Sequence, residues 1–132
     1  QLTTCLWYDM GTSCIYGTLP SNFNNGIKLH SNTFHNEYNC DYHFSTSGTY
    51  TPKFGDICIE INNNKPLAIL INWDIQNWHW ITGIGYYQGI DGYYIYVRDG
   101  YGDGFVIINF YTPELNGRYI SIYYFGYIYP SY

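Results

Sequence analysis

From Leu67 onward the chain reads almost wholly as β-structure, and this half dictates what the remainder can do. Leu67–Asn72 is a continuous apolar run, the pattern of a strand covered on both faces. Residues 80–87 and 93–98 are rich in β-branched and aromatic side chains, and the glycine-containing stretch 88–92 between them is a hairpin loop. Residues 105–110 form a further short strand after the glycine-rich turn 100–104, residues 112–117 read as one helical turn, and 119–129 as a long last strand.

The first half carries two helical signals. In residues 51–62, Thr51 is a suitable N-cap, Pro52 takes the first helical position, and Phe54, Ile57, Cys58 and Ile61 repeat on one face. The run Asn62, Asn63, Asn64 ends that helix, and Lys65-Pro66 restarts the chain in extended form. A shorter helix is expected over 21–32, capped by Ser21, with Phe23, Ile27 and His30 on its apolar side and Gly26 weakening it. Residues 1–19 are irregular, and one strand is expected within 38–44. The plan is α+β: two short helices followed by about five or six antiparallel strands in a half-open barrel, in one domain spanning 1–132.

Composition limits the partners. Charged residues are 11% of the chain, against roughly 25% in an ordinary soluble domain, and 18 tyrosines take their place. Tyrosine keeps its hydroxyl wet while its ring stays sticky, and few lysines remain to guard strand edges, so self-association into an oligomer or filament is expected. The net charge is −5 with five Lys plus Arg and no basic stripe, which argues against nucleic acid. No apolar run reaches the roughly 18 residues of a membrane-spanning helix. Gln1 is an unusual first residue for a translated chain and is read as the start of a processed product.

Cys5, Cys14, Cys40 and Cys58 fit no zinc spacing. An even number in a short chain suggests two disulfides and an oxidising, extracellular location; Cys5–Cys14 with Cys40–Cys58 is one of three possible connectivities. His30, His35 and His43 with Asp41 match no familiar metal-ligand spacing. The stretch Asp99 to Gly104 superficially resembles a calcium loop but lacks the later ligands, so an ordinary turn is expected, with no cofactor.

The strings Trp78-His79-Trp80-Ile81-Thr82-Gly83-Ile84-Gly85-Tyr86 and Tyr94-Ile95-Tyr96-Val97-Arg98-Asp99-Gly100 resemble the barrel half of bacterial papain-like cysteine peptidases, of the double-glycine-leader-peptidase-like branch common among secreted proteins. The segment 62–71 before them, and Met10-Gly11-Thr12 with residues 17–26, extend the resemblance over nearly the whole chain, although the block from His79 to Asp99 is its specific part. The resemblance implies that His79 is the general base that takes a proton from a cysteine thiol, and that Asp99 orients its imidazole. The chain departs from the pattern in two places. Gly100-Tyr101-Gly102 follows Asp99 instead of a turn containing proline or tryptophan, and neither Cys5 nor Cys14 opens a helix as the family's nucleophile does. The nucleophile-bearing segment is therefore expected outside these residues, cleaved off or supplied by another chain.

Considered without the resemblance, a histidine between two tryptophans is more often a core residue bonded to a backbone carbonyl, and an Asp-Gly pair is an ordinary turn. What the resemblance implies is a secreted, papain-like domain, catalytically impaired because the nucleophile is missing, and no cofactor is expected. The alternative is an extracellular structural subunit that associates with itself, and a module binding peptides or glycans in the old cleft is a weaker third expectation. The many aromatics could also form a sugar-stacking platform, although tyrosines at strand period are more often sheet packing.

Overall fold

A computed structural model describes residues 18, 20–34, 39–44, 52–65, 67–73 and 77–131. Among them are two helices and eight strands: α1 (Pro20–Phe34), β1 (Asn39–Phe44), α2 (Phe54–Asn62), β2 (Leu67–Asn72), β3 (Trp78–Gly89), β4 (Gly92–Arg98), β5 (Val106–Asn109), β6 (Glu114–Leu115), β7 (Arg118–Tyr119) and β8 (Ser121–Ser131). Six strands form one sheet in the order β1-β8-β2-β3-β4-β5, each antiparallel to its neighbour, and β6 and β7 make a separate hairpin. The fold is thus mixed helix and sheet, with β1 and β5 at the sheet edges.

The helices begin and end for identifiable reasons. Pro20 is itself the first residue of α1, where its missing N–H has no helical partner to lose, so Ser21 lies inside the helix instead of capping it. The second helix starts later than the capping pattern implies, at Phe54 after an extended Lys53 whose side chain makes no cap, and Thr51 lies outside the described residues. Its end is a Schellman motif: Lys65 N–H donates to the Glu60 carbonyl and Asn64 N–H to that of Ile61. Asn64 supplies the left-handed residue the motif needs, with φ 57°. Lys65 and Glu60 also form an ion pair at 2.9 Å.

The central strand β2 is covered on both faces, as its unbroken apolar run demands, with Leu67, Ile69, Leu70 and Ile71 all buried. On one face, Ile69, Ile71, Ile81, Ile95, Val97 and Ile108 form the main core with Phe54 and Ile57 of α2. Leu70 points the other way. It lies opposite Trp80, whose ring stacks on Phe23 of α1 at 4.0 Å and whose indole N–H donates to the Thr18 carbonyl at 2.9 Å. The two helices therefore sit on opposite faces of the sheet.

Two turns differ from the sequence expectation. The β3–β4 loop is only Ile90-Asp91, because pairing continues out to Gly89 and Gly92. Residues 112–117 hold no helical turn. Asn116 and Gly117 both take positive φ, 54° and 74°, closing the β6–β7 hairpin. An Asn-Gly pair favours this two-residue geometry because both positions tolerate left-handed backbone.

Candidate active site

Period-2 alternation settles which side chain of the Trp-His-Trp run faces the core. Ile71 opposes His79 and Ile69 opposes Ile81, so His79 continues the core row at its open end. Trp78 and Trp80 project to the other face, where Trp78 packs edge-on against Tyr123 at 4.8 Å. The tryptophans are anchors, and the half-buried imidazole between them is the side chain left for chemistry.

Asp99 follows the last residue of β4 and is 6% exposed. It meets His79 as the hairpin plan requires, but through its backbone. Nε2 of His79 lies 2.5 Å from the Asp99 main-chain carbonyl oxygen, while the Asp99 carboxylate accepts the Tyr101 N–H at 3.0 Å. A carbonyl can only accept, so Nε2 carries a proton, and in the neutral form of the ring the lone pair is on Nδ1. The main-chain carbonyl of Asp99 thus occupies the place foreseen for its side chain. The carboxylate is taken by an Asx turn, which Gly100 permits at φ 82°.

Residues from two connections stack on the imidazole, and a strand residue reaches one of them. Tyr101 stacks on the imidazole with centroids 4.8 Å apart and planes 22° apart. Trp73, just after β2, stacks on it at 5.8 Å and 27°, and its backbone N–H donates to the Asn77 carbonyl. The Arg118 guanidinium of β7 lies 6.0 Å from the Trp73 ring centroid. The indole nitrogen of Trp73 is buried with no hydrogen-bond partner among the described residues. Sequence reasoning missed Trp73, Tyr101 and Arg118. The available signals were an aromatic residue directly after the β2 run and another directly after Asp99-Gly100.

The remaining candidates fare differently. Cys58 is a free, half-buried thiol on α2, where burial pushes its pKa up, with a backbone hydrogen bond pulling the other way. The expected Cys40–Cys58 disulfide is accordingly not formed. Cys40 lies on edge strand β1, separated by β8 from the β2 and β3 strands that α2 packs against. Cys5, Cys14 and His35 lie outside the described residues, as do the side chains of Cys40, Asp41, His30 and His43. The loop after β4 is an ordinary turn, with the Asp99 carboxylate bonded to Tyr101 N–H and the Asp103 carbonyl accepting from Arg98 at 2.6 Å.

No protein-family model matches the chain, and no curated protein sequence matches it.

Proposed function

We propose that this chain is a secreted, papain-like cysteine-peptidase-like domain that keeps the general-base corner and is catalytically impaired. The carrying observation is the His79–Asp99 contact, which fixes the tautomer with its lone pair on Nδ1, the form a thiol-activating base requires. Two features favour impairment. The Asp99 carboxylate, which would stabilise an imidazolium, is turned to the Tyr101 N–H. Burial pushes the pKa of the Cys58 thiol up, whereas a nucleophilic cysteine needs its pKa lowered.

The test is iodoacetamide labelling from about pH 5 to 9 with peptide mapping, on the wild type and His79→Ala. The expected result is that every reactive cysteine follows an ordinary alkaline thiol profile that His79→Ala leaves unchanged. A cysteine that labels on a plateau below about pH 7, and loses it in His79→Ala, means an active ion pair and overturns the reading.

A self-associating extracellular subunit is the second reading, and one edge of the sheet favours it. β5 is an uncharged four-residue edge strand flanked by exposed Phe105, and such an edge is a template for pairing with another copy. Sedimentation velocity distinguishes the two. A concentration-dependent shift that Ile107→Lys abolishes supports the structural subunit, and a monomer at all concentrations removes it.

A further inference from the structure

The outward face of the β3–β4 hairpin has a construction that the His79 corner does not use. Tyr87 and Tyr94 oppose each other across the two strands, as do Gly89 and Gly92, and as do Gly85 and Tyr96. Each glycine leaves a gap into which a tyrosine ring lies down. A Cβ at Gly89 would collide with Cζ of Tyr87 at 2.5 Å, one at Gly85 with Cδ2 of Tyr96 at 2.9 Å, and one at Gly92 would press on the Tyr94 ring at 3.1 Å. The Tyr94 hydroxyl is tied down by donating to the Asp91 carbonyl at 3.2 Å. The rings are thus laid along the sheet over glycine backbone instead of standing off it; Tyr96 also contacts the Phe105 ring at 5.7 Å. Tyr87 is 46% exposed. Together with Asp91 and Ile107 they line an open hollow of about 210 Å³.

We propose that this hollow is a carbohydrate-binding site that takes one pyranose ring of an uncharged oligosaccharide. A pyranose has a face of C–H bonds and an edge of hydroxyls. The flat tyrosine rings match the first, and the tyrosine hydroxyls with the Asp91 carboxylate match the second. Other ligand chemistries fit less well. No lysine or arginine lines the hollow, so phosphate-bearing ligands and nucleic acid lack their cation. The hollow is open and smaller than the roughly 300–1,000 Å³ of pockets that enclose drug-sized apolar ligands. It is also remote from His79: the eight-residue step along β3 to Tyr87 is roughly 25 Å of strand. Its failure therefore leaves the peptidase-like reading standing, and the reverse also holds.

The experiment titrates the full chain with cellohexaose, chitohexaose and maltohexaose, followed by calorimetry and tyrosine ring NMR signals. At least one sugar is expected to bind, with Tyr87→Ala weakening it roughly threefold to tenfold. Gly89→Ala is expected to weaken it comparably while keeping every tyrosine, because the new Cβ lifts the Tyr87 ring off the sheet. Tyr119→Ala, on the separate β6–β7 hairpin, is expected to bind as the wild type does. Circular dichroism checks that each variant is folded, and Tyr87→Ala at an exposed site carries the test if Gly89→Ala is not. The proposal is overturned if the wild type binds none of the three sugars, or if Tyr87→Ala binds as well as the wild type. It is equally overturned if Tyr87→Ala abolishes self-association of a chain that no sugar affects, which assigns the face to a second copy.

Discussion

Replacing Asp99 separates the two jobs that meet at this residue. Its main-chain carbonyl holds His79 and its carboxylate holds the Tyr101 N–H, so a side-chain substitution disturbs only the second. Asp99→Ala removes one charge-assisted hydrogen bond, a contact of about 1.5–3 kcal/mol, and leaves the Tyr101 N–H without its acceptor. Against this, a nearly buried carboxylate no longer has to be desolvated, which returns part of the loss. A net destabilisation of about 1–2 kcal/mol follows, or a urea midpoint lower by roughly 1 M. Asp99→Asn keeps an acceptor oxygen in the same place and is expected to cost less than about 1 kcal/mol. In both variants the imidazole is expected to stay in the Nε2–H tautomer, read from ¹⁵N shifts of the ring at a pH where it is neutral. If Asp99→Asn changes the tautomer, the carboxylate orients the ring after all, and the division of labour argued here is wrong.

Three other outcomes follow from the packing. Burial raises the Cys58 pKa above its ordinary 9.0, so the folded state holds this proton more tightly than the unfolded state. The thiol's contribution is then intact below pH 9.0 and is lost as pH rises above it, so stability should fall less steeply there in Cys58→Ala than in wild type, by urea titration at pH 8 to 10.5. Gly117→Ala puts a Cβ on a residue at φ 74° and is expected to cost about 1 kcal/mol, while Gly102→Ala, which has open space around it and no positive φ, is expected to cost little. Trp80→Phe loses the hydrogen bond to Thr18, whereas Trp73→Phe removes an N–H that has no partner among the described residues, so Trp80→Phe should be the more destabilising by about 1 kcal/mol.

The β half was legible because its signals are local. The run Leu67–Asn72 is bounded as read, and the pairing of β3 with β4 brings His79 to Asp99 as their spacing implied. Signals that depend on backbone geometry were weaker guides. Residues 112–117 carry an Asn-Gly pair, a stronger cue for a two-residue hairpin than for the helical turn expected there. The use of a carbonyl instead of a carboxylate at Asp99 has no sequence signature, since every residue carries a carbonyl. Trp73 and Tyr101 reach the imidazole from two separate connections and Arg118 of β7 reaches Trp73, so only the folded chain brings the three together.

One irregularity in β3 accounts for both faces of the hairpin at once. Between Gly83 and Gly85 the register with β4 shifts, so Ile84 is an extra residue. Before it, His79, Ile81 and Gly83 face the core; after it, Tyr86 does, opposite Ile95. Without the bulge the parity would continue unchanged, sending Tyr87 inward and Tyr86 out. Tyr86 would then lose its edge-on contact with Phe54 at 5.9 Å and its hydrogen bond to Asn62 at 3.0 Å, both of which fasten α2 to the sheet. Tyr87 would leave the outer floor it shares with Tyr94. Deleting Ile84 removes only this extra residue, so Gly85, Tyr86 and Tyr87 are expected to keep their β4 partners and their faces, whereas giving Ile84 a partner by adding one residue to β4 would exchange them. The bulge thus couples the seating of α2 to the exposure of the tyrosine floor, while His79, which lies before it, keeps its face in either case.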